Sequence, residues 1–415
     1  MSVGRPTVRV DLTDPDLWQV GVPHDEFRRL REHAPVAWAG HPGGHRGFWV
    51  VTRHADVVAV SRDVSTFSSR GGVITLDDLD VDQLEARRTM LEEDPPRHRM
   101  LRNLTAAHFT PGAVRAFTGF VRKLAADVIE EAIDSGGCDL VESLSEKVPI
   151  RVLAKILGVP DRDVGDLVWF GNQMIGMDDP EYDPGRARDE DARLLPFGHP
   201  AARDAFDLAW ELARQREMEP RDDVMTALAL GEVDGVRLSP DELGAYFVLL
   251  VIAGNETTRH TITSGVRALA DDAAQWTRLM EGETTTSLAA DELIRWATAI
   301  HFHRRTATQD VELNGVKIAA GEKVVMYYAS ANFDESVFAD PFELDVGRQP
   351  NDHVSFGRGG PHFCLGAHLA RLEVGVVVEE LAARVRRIEL LSPPERLRSN
   401  HINGIKHLQV RLHAR

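Results

Sequence analysis

The sequence predicts a mainly α-helical protein with a small, segregated β region, carried as a single domain over residues 1–415. Three observations lead there. Apolar residues recur at three- and four-residue spacing through most of the chain after Asp94. Aromatic and β-branched runs are short and confined to an early zone and to Val311–Ser330. No internal repeat and no low-complexity linker divides the chain. With 43% hydrophobic and 27% charged residues in 415, the composition is that of a globular protein, which excludes disordered and fibrous classes.

In chain order, Val36–Ala39 and Gly47–Thr52 read as strands bounded by proline and glycine. Gly71–Leu84 reads as a mobile surface loop. Pro95 and Pro96 then open a helix on which Met100, Leu101 and Leu104 recur. Helical spacing continues through Val114–Ile133, Val148–Leu157, Ala202–Arg216 and Pro240–Leu269. The acidic stretch Asp178–Asp191, broken by Pro180, Pro184 and Gly185, reads as a second surface loop, and Glu281–Ser287 as a third. Leu313-Asn314-Gly315-Val316 predicts a tight hairpin. A last helix, Ala367–Leu381, follows a glycine-rich run directly.

The net charge of −17 argues against a nucleic-acid or anionic-membrane binder, since both need a basic footprint. Met1–Asp16 has no apolar core, and the longest apolar stretch, Leu243–Gly254, falls well short of the ~20 residues that span a bilayer. No membrane anchor is expected. Two cysteines, Cys138 and Cys364, cannot build a disulfide framework, which fits a reducing, cytoplasmic setting. Arginine greatly outnumbers lysine, as in GC-rich bacterial coding.

Common phosphate-loop, zinc-protease and serine-hydrolase motifs are absent, and His362 breaks the one glycine-rich dinucleotide pattern. The informative run is Phe356 to Gly366, with Gly357, His362 and Cys364 inside it. Glycines around one cysteine let the backbone approach a flat ligand and aim amides at the sulfur. A helix starting just after it favours a thiolate and lowers its pKa, so the sulfur is a metal ligand or a nucleophile. Ala253-Gly254-Asn255-Glu256-Thr257 interrupts the most apolar helix. Thr257 can satisfy itself on a carbonyl one turn back, or it can stand in a groove beside a ligand and relay protons with Glu256. Burial would raise the pKa of Glu256, which suits a group that holds and releases a proton. Glu292 with Arg295, and His98 with Arg102, are helix-spaced pairs that prove little singly.

Together and in this order, the four segments resemble the cytochrome P450 superfamily of haem-thiolate monooxygenases, over nearly the whole chain. One departure is that Phe356 lies eight residues before Cys364, one more than the general loop. The resemblance implies haem b (iron protoporphyrin IX) with Cys364 as the iron ligand. It implies that His98, Arg102, Arg305 and His362 pair with the propionates, and that Ala253, Gly254, Phe356, Gly357 and Gly366 border the macrocycle. Glu292, Arg295 and Arg348 would form a buried ion network holding the cysteine loop, and Thr257 and Glu256 would deliver protons to dioxygen. Leu249, Ala253, His301, Phe302, His303, His401 and Ile402 would touch the substrate, along with the Gly71–Leu84 loop.

The text of Arg304-Arg305-Thr306, Ser330 to Asp334 and Asn403 to Lys406 is similar to actinobacterial hydroxylases of sterols and methyl-branched fatty acids. That implies hydroxylation of an unactivated C–H bond in an apolar sterol, branched fatty acid or terpenoid. Electrons would come from a ferredoxin and its ferredoxin reductase, docking near Arg97, Arg99 and Arg358. A natural-product tailoring hydroxylase, a peroxide-driven haem enzyme and a non-catalytic haem sensor or carrier are the alternatives.

Overall fold

The computed structural model describes residues 5–176, 178–182 and 190–415. The helical spacing resolves into α1 (Arg97–Thr105), α2 (Thr118–Asp134), α3 (Lys147–Leu157), α4 (Val164–Ile175), α5 (Ala201–Met218), α6 (Pro240–Asp271), α7 (Thr286–Ala297) and α8 (Ala367–Arg384). The start of α6 follows from its sequence: Ser239 and Glu242 cap each other reciprocally and Pro240 fills the first turn. This helix is apolar on almost every face and packs against α3, α4, α5, α7 and α8, which makes it the axis of the helical core. Among the described residues no helix is long and apolar enough to cross a membrane.

The β region is small and set to one side. Its main sheet joins β1 (Val36–Ala39), β2 (Phe48–Val51), β3 (Phe67–Ser68), β4 (Phe302–Ala307) and β5 (Lys323–Tyr327) in the order β1-β2-β5-β4-β3. The pair β2–β5 is parallel, with Val325 opposite Val50, and the other pairs are antiparallel. Both faces are covered. Phe302, Val325 and Tyr327 pack on Trp18 and Phe27, whereas Val324 and Met326 pack on Trp49, Val57 and Ala307. That alternation is the two-residue period of a strand, and it decides below which residues reach the site. The expected hairpin forms between Val311–Leu313 and Val316–Ile318, with Asn314 at φ 51° and Gly315 at φ 74°.

Two expectations are corrected, and a third falls partly outside the described residues. The helix read as Val114–Ile133 is two, Pro111–Ala116 and α2. The Gly71–Leu84 loop holds the start of a short helix, Val81–Ala86, with its own capping box at Asp80 and Gln83. It is also tethered. The Arg304 guanidinium donates to the carbonyls of Gly71, Thr75 and Asp77, and Lys323 Nζ to that of Leu76 at 2.7 Å. The loop expected over Asp178–Asp191 lies partly outside the described residues. Within it Asp179 and Glu181 pair with Lys406 at 3.1 and 2.6 Å.

Candidate functional site

One cavity of about 1700 Å³, its mouth included, lies between α6 and the segment leading into α8. Cys364 and Thr257 both line it, as do Leu249, Ala253, Phe356, Gly357 and Gly366. Ala253 is exposed halfway along an otherwise buried helix because this is where α6 opens onto the cavity. Gly254 also borders it, but what demands glycine there is α3: a Cβ would come 2.9 Å from Leu153 Cδ1.

The cysteine loop is held by its own backbone. Cys364 N–H donates to the Phe356 carbonyl at 2.8 Å, and Gly357 turns the chain at φ 72°. Gly360 passes so close to Ser61 that a Cβ would meet its carbonyl at 2.0 Å. The sulfur sits just before α8, as read from the sequence, yet the expected lowering of its pKa does not follow. Burial pushes the thiol up, against the Gly366 amide and the Arg102 and Arg371 charges. A buried sulfur of this kind becomes a thiolate when a metal ion binds it.

Near the sulfur stands a cluster of two arginines and two imidazoles, none of them in an ion pair among the described residues. Arg305 is buried, its Nε has no partner, and Nη1 donates only to the Arg304 carbonyl at 2.8 Å. Burial lowers its pKa, and that of Arg102, which pairs with no carboxylate among the described residues. His98 stacks 4.0 Å from His362, and its Nδ1 is unpartnered. Burial pushes His98 down to about 4. Two arginines and two imidazoles outside any ion pair among the described residues, three of them lining a cavity floored by a sulfur, fit an iron porphyrin bearing two carboxylates.

The Thr257 hydroxyl donates to the Ala253 carbonyl at 2.9 Å, the self-satisfied geometry, while remaining partly open to the cavity. Glu256 corrects the sequence reading. Burial alone would raise its pKa, but the Arg259 charge, the neighbouring His260 and a hydrogen bond from Asn255 outweigh that and hold it below the usual carboxylate range. Arg259 pairs with it one turn on and also binds Glu146 at 3.0 Å and Asn172 Oδ1 at 2.7 Å. Gly171 on α4 leaves room for the carboxylate, since a Cβ there would stand 2.7 Å from Glu256 Oε1. Arg259, at i+3, was findable from the sequence by the spacing that flagged Glu292 and Arg295.

The Glu292 network forms fully buried. Arg295 Nε and Nη2 donate to Glu292 at 2.8 and 2.7 Å, and Arg348 Nε donates to both of its oxygens at 3.1 Å. The arginines extend it to the carbonyls of Asn332, Pro341, Ala339 and Glu343. Asn332, in turn, binds Val354 N–H and Ser355 Oγ at the head of the cysteine loop.

Among the expected substrate contacts, Leu249, Ala253, His303 and Ile402 line the cavity, and His301 and Phe302 do not. Strand alternation turns Phe302 to the opposite face of the sheet from His303, and His301 packs on Trp18 with ring centroids 4.1 Å apart. The wall also includes His401, Ile74, Leu91, Phe197 and Ile300, drawn from segments distant in sequence. Of these the sequence marked only His401 and the loop carrying Ile74.

A helical body whose cavity presents a cysteine on one side and a helix hydroxyl on the other, with arginines outside any ion pair near the sulfur, has the arrangement of a haem-thiolate monooxygenase. Comparison with known proteins agrees. The family model described as Cytochrome P450 matches residues 284–396. The chain is 40% identical over 410 residues to the steroid C26-monooxygenase of Mycobacterium tuberculosis, covering 96% of this chain and 92% of that protein. It is 37% identical over 419 residues to the methyl-branched lipid omega-hydroxylase of the same organism, covering 98% and 95%. A cytochrome P450 of Mycobacterium marinum, solved in complex with pseudoionone, superposes with a TM-score of 0.90 at 38% identity over 99% of this chain and all of that one. The chain belongs to the cytochrome P450 family and is a haem b-dependent monooxygenase.

Proposed function

We propose that this enzyme hydroxylates an apolar, branched lipid-like molecule, namely a sterol side chain, a methyl-branched fatty acid or a terpenoid, at or near its apolar end. The apolar lining of the cavity carries the reading. Among the described residues the only charged side chains bordering it are Arg102 and the paired Glu256. Burial of apolar ligand surface at ~25 cal/mol per Å² supplies most of the affinity. The relatives named for steroids and branched lipids, and the neighbour holding pseudoionone, support the same class. His303 and His401 provide the polar contact. Burial holds His303 well below its ordinary value and His401 at about 4, so both imidazoles are neutral hydrogen-bonding groups near pH 7. A panel of sterols, branched fatty acids and terpenoids, scored by spin-state shift and product position, tests this. Turnover of a small polar aromatic with no response to any lipid would overturn it, and a purely natural-product substrate would favour the tailoring alternative.

The haem, once bound, supplies dioxygen activation and oxygen insertion. Cys364 would hold its iron, and Arg102, Arg305, His98 and His362 would hold its propionates. Ala253, Phe356, Gly357 and Gly366 line the same cavity and would leave room for it. Thr257 places a hydroxyl proton at Oγ1 on the cavity side of α6. Glu256 is an ionised carboxylate at rest, buried against Arg259, and stores no proton. Thr257→Ala is expected to retain haem while product formed per electron consumed falls by about 10²-fold, the contribution typical of a placed proton donor. Thr257→Ser restores coupling. Unchanged coupling in the alanine variant removes the role.

A ferredoxin, supplied by a ferredoxin reductase, is the proposed electron donor, and Arg99 is the centre of its docking patch. Arg97 is engaged by Glu242 and Glu93, and Arg358 by Asp352 at 2.9 Å, whereas Arg99 is exposed and in no ion pair among the described residues. Arg99→Glu is expected to slow reduction by an acidic ferredoxin about tenfold at low salt, with the difference vanishing as salt screens it. Salt-independent rates equal to wild type count against the patch.

A further inference from the structure

Around the longer cysteine loop the Phe356 ring is held from two sides. The Arg371 guanidinium lies over it, 4.7 Å from its centroid, and the His353 imidazole tilts against it at 5.4 Å. Both groups are tied to one atom, Asp291 Oδ1, Arg371 Nε at 2.6 Å and His353 Nε2 at 3.4 Å. The three residues come from three places: Asp291 from α7, His353 from the start of the loop, and Arg371 from α8. Phe356 is also the residue whose carbonyl accepts the Cys364 N–H. The clamp therefore acts on the ring and on the backbone that positions the sulfur.

The charges in the clamp are defined. Asp291 is ionised: burial would raise its pKa, but hydrogen bonds from His353 and Arg371 more than compensate. His353 is neutral near pH 7, because burial lowers it against the pull of Asp291. Arg371 carries the positive charge, held over the ring of the residue whose carbonyl accepts the Cys364 N–H. Asp291 is that charge's nearest neutraliser.

We propose that Arg371, seated on Phe356 and partly neutralised by Asp291, is a positioning residue that sets the reduction potential of the haem-thiolate centre. Reduction adds one negative charge to the centre, so a nearby fixed cation favours the reduced form and a nearby anion opposes it. The two partners must then act with opposite sign. Arg371→Gln removes the cation and lowers the midpoint potential. Asp291→Asn leaves the cation unneutralised and raises it. Loss of packing alone would shift both variants in the same direction.

The inference rests on Cys364 as the iron ligand, and the two can fail separately. Absence of the red-shifted carbonyl band from the wild-type enzyme removes the ligand assignment. A normal band without divergent potentials removes only the clamp. The experiment is a spectroelectrochemical titration of the haem-loaded wild type, Arg371→Gln and Asp291→Asn at low ionic strength, since both groups are partly exposed. Opposite shifts are expected. Shifts of one sign, or none, overturn the proposal. Arg371→Lys keeps the charge and covers the case in which a neutralising variant takes up no haem. A potential retained there supports the proposal, and one displaced there overturns it.

Discussion

Cys364→Ala is expected to abolish the red-shifted Soret band of the reduced carbonyl complex and with it all monooxygenase activity, whereas Cys138→Ala leaves both intact. The two cysteines differ in where the fold puts them. Cys364 lines the cavity and stands beside four cationic or imidazole groups. Cys138 sits in a two-residue strand opposite Val410, away from that cavity, with a thiol pushed up by burial. An iron without its thiolate loses the electron density that O–O cleavage requires. The measurement is the difference spectrum of each variant, with haem content determined in parallel. A red-shifted band that survives in the Cys364 variant, or vanishes in the Cys138 one, reverses the assignment.

Glu292→Gln is expected to cost about 3–5 kcal/mol of stability, the loss typical when one partner leaves a buried ion pair. The carboxylate is fully buried between two guanidiniums and also accepts from Asp345 N–H and Asn351. With the charge gone, Arg295 and Arg348 are left as like charges in a low-dielectric interior. The damage should reach the haem, because Arg295 binds the Asn332 carbonyl and Asn332 holds the entrance to the cysteine loop. A low urea midpoint with poor haem retention is the expected result. The exposed pair Lys123–Asp127 is the control, and Lys123→Ala should change neither. Wild-type stability in the Glu292 variant would show that the network is dispensable.

The elements that were legible in the sequence share a property: each is specified by neighbours in the chain. The long helices carry their period within themselves, and α6 announces its start through Ser239, Pro240 and Glu242. The proximal side of the site reads directly because Phe356 to Gly366 is one continuous run. What was misread depends on residues meeting across the fold. The charge state of Glu256 is the exception, since Arg259, His260 and Asn255 all lie on its own helix and the i+3 spacing of Arg259 was open to reading. His301 to His303 read as one patch, but strand alternation and Trp18 divide them between two sides of a sheet. The Gly71–Leu84 loop looked free because its anchors, Arg304 and Lys323, lie more than two hundred residues away.

The two halves of the cavity also differ in how they can change over evolutionary time. Its floor centres on one short piece of chain, where Phe356 joins the clamp to the amide of Cys364, so a substitution at Phe356 acts on both. Its roof is assembled from Ile74, Phe197, Leu249, Ile300 and Ile402, five positions on separate segments. Each of these can be exchanged alone, reshaping the space for one part of a ligand while the chemistry below is untouched. A lineage built this way diversifies its diet by single steps without passing through inactive ancestors. Relatives at similar distance that are named for a steroid and for a branched lipid fit that expectation. Ancestral reconstructions of the family should therefore retain the floor residues while the five roof positions vary.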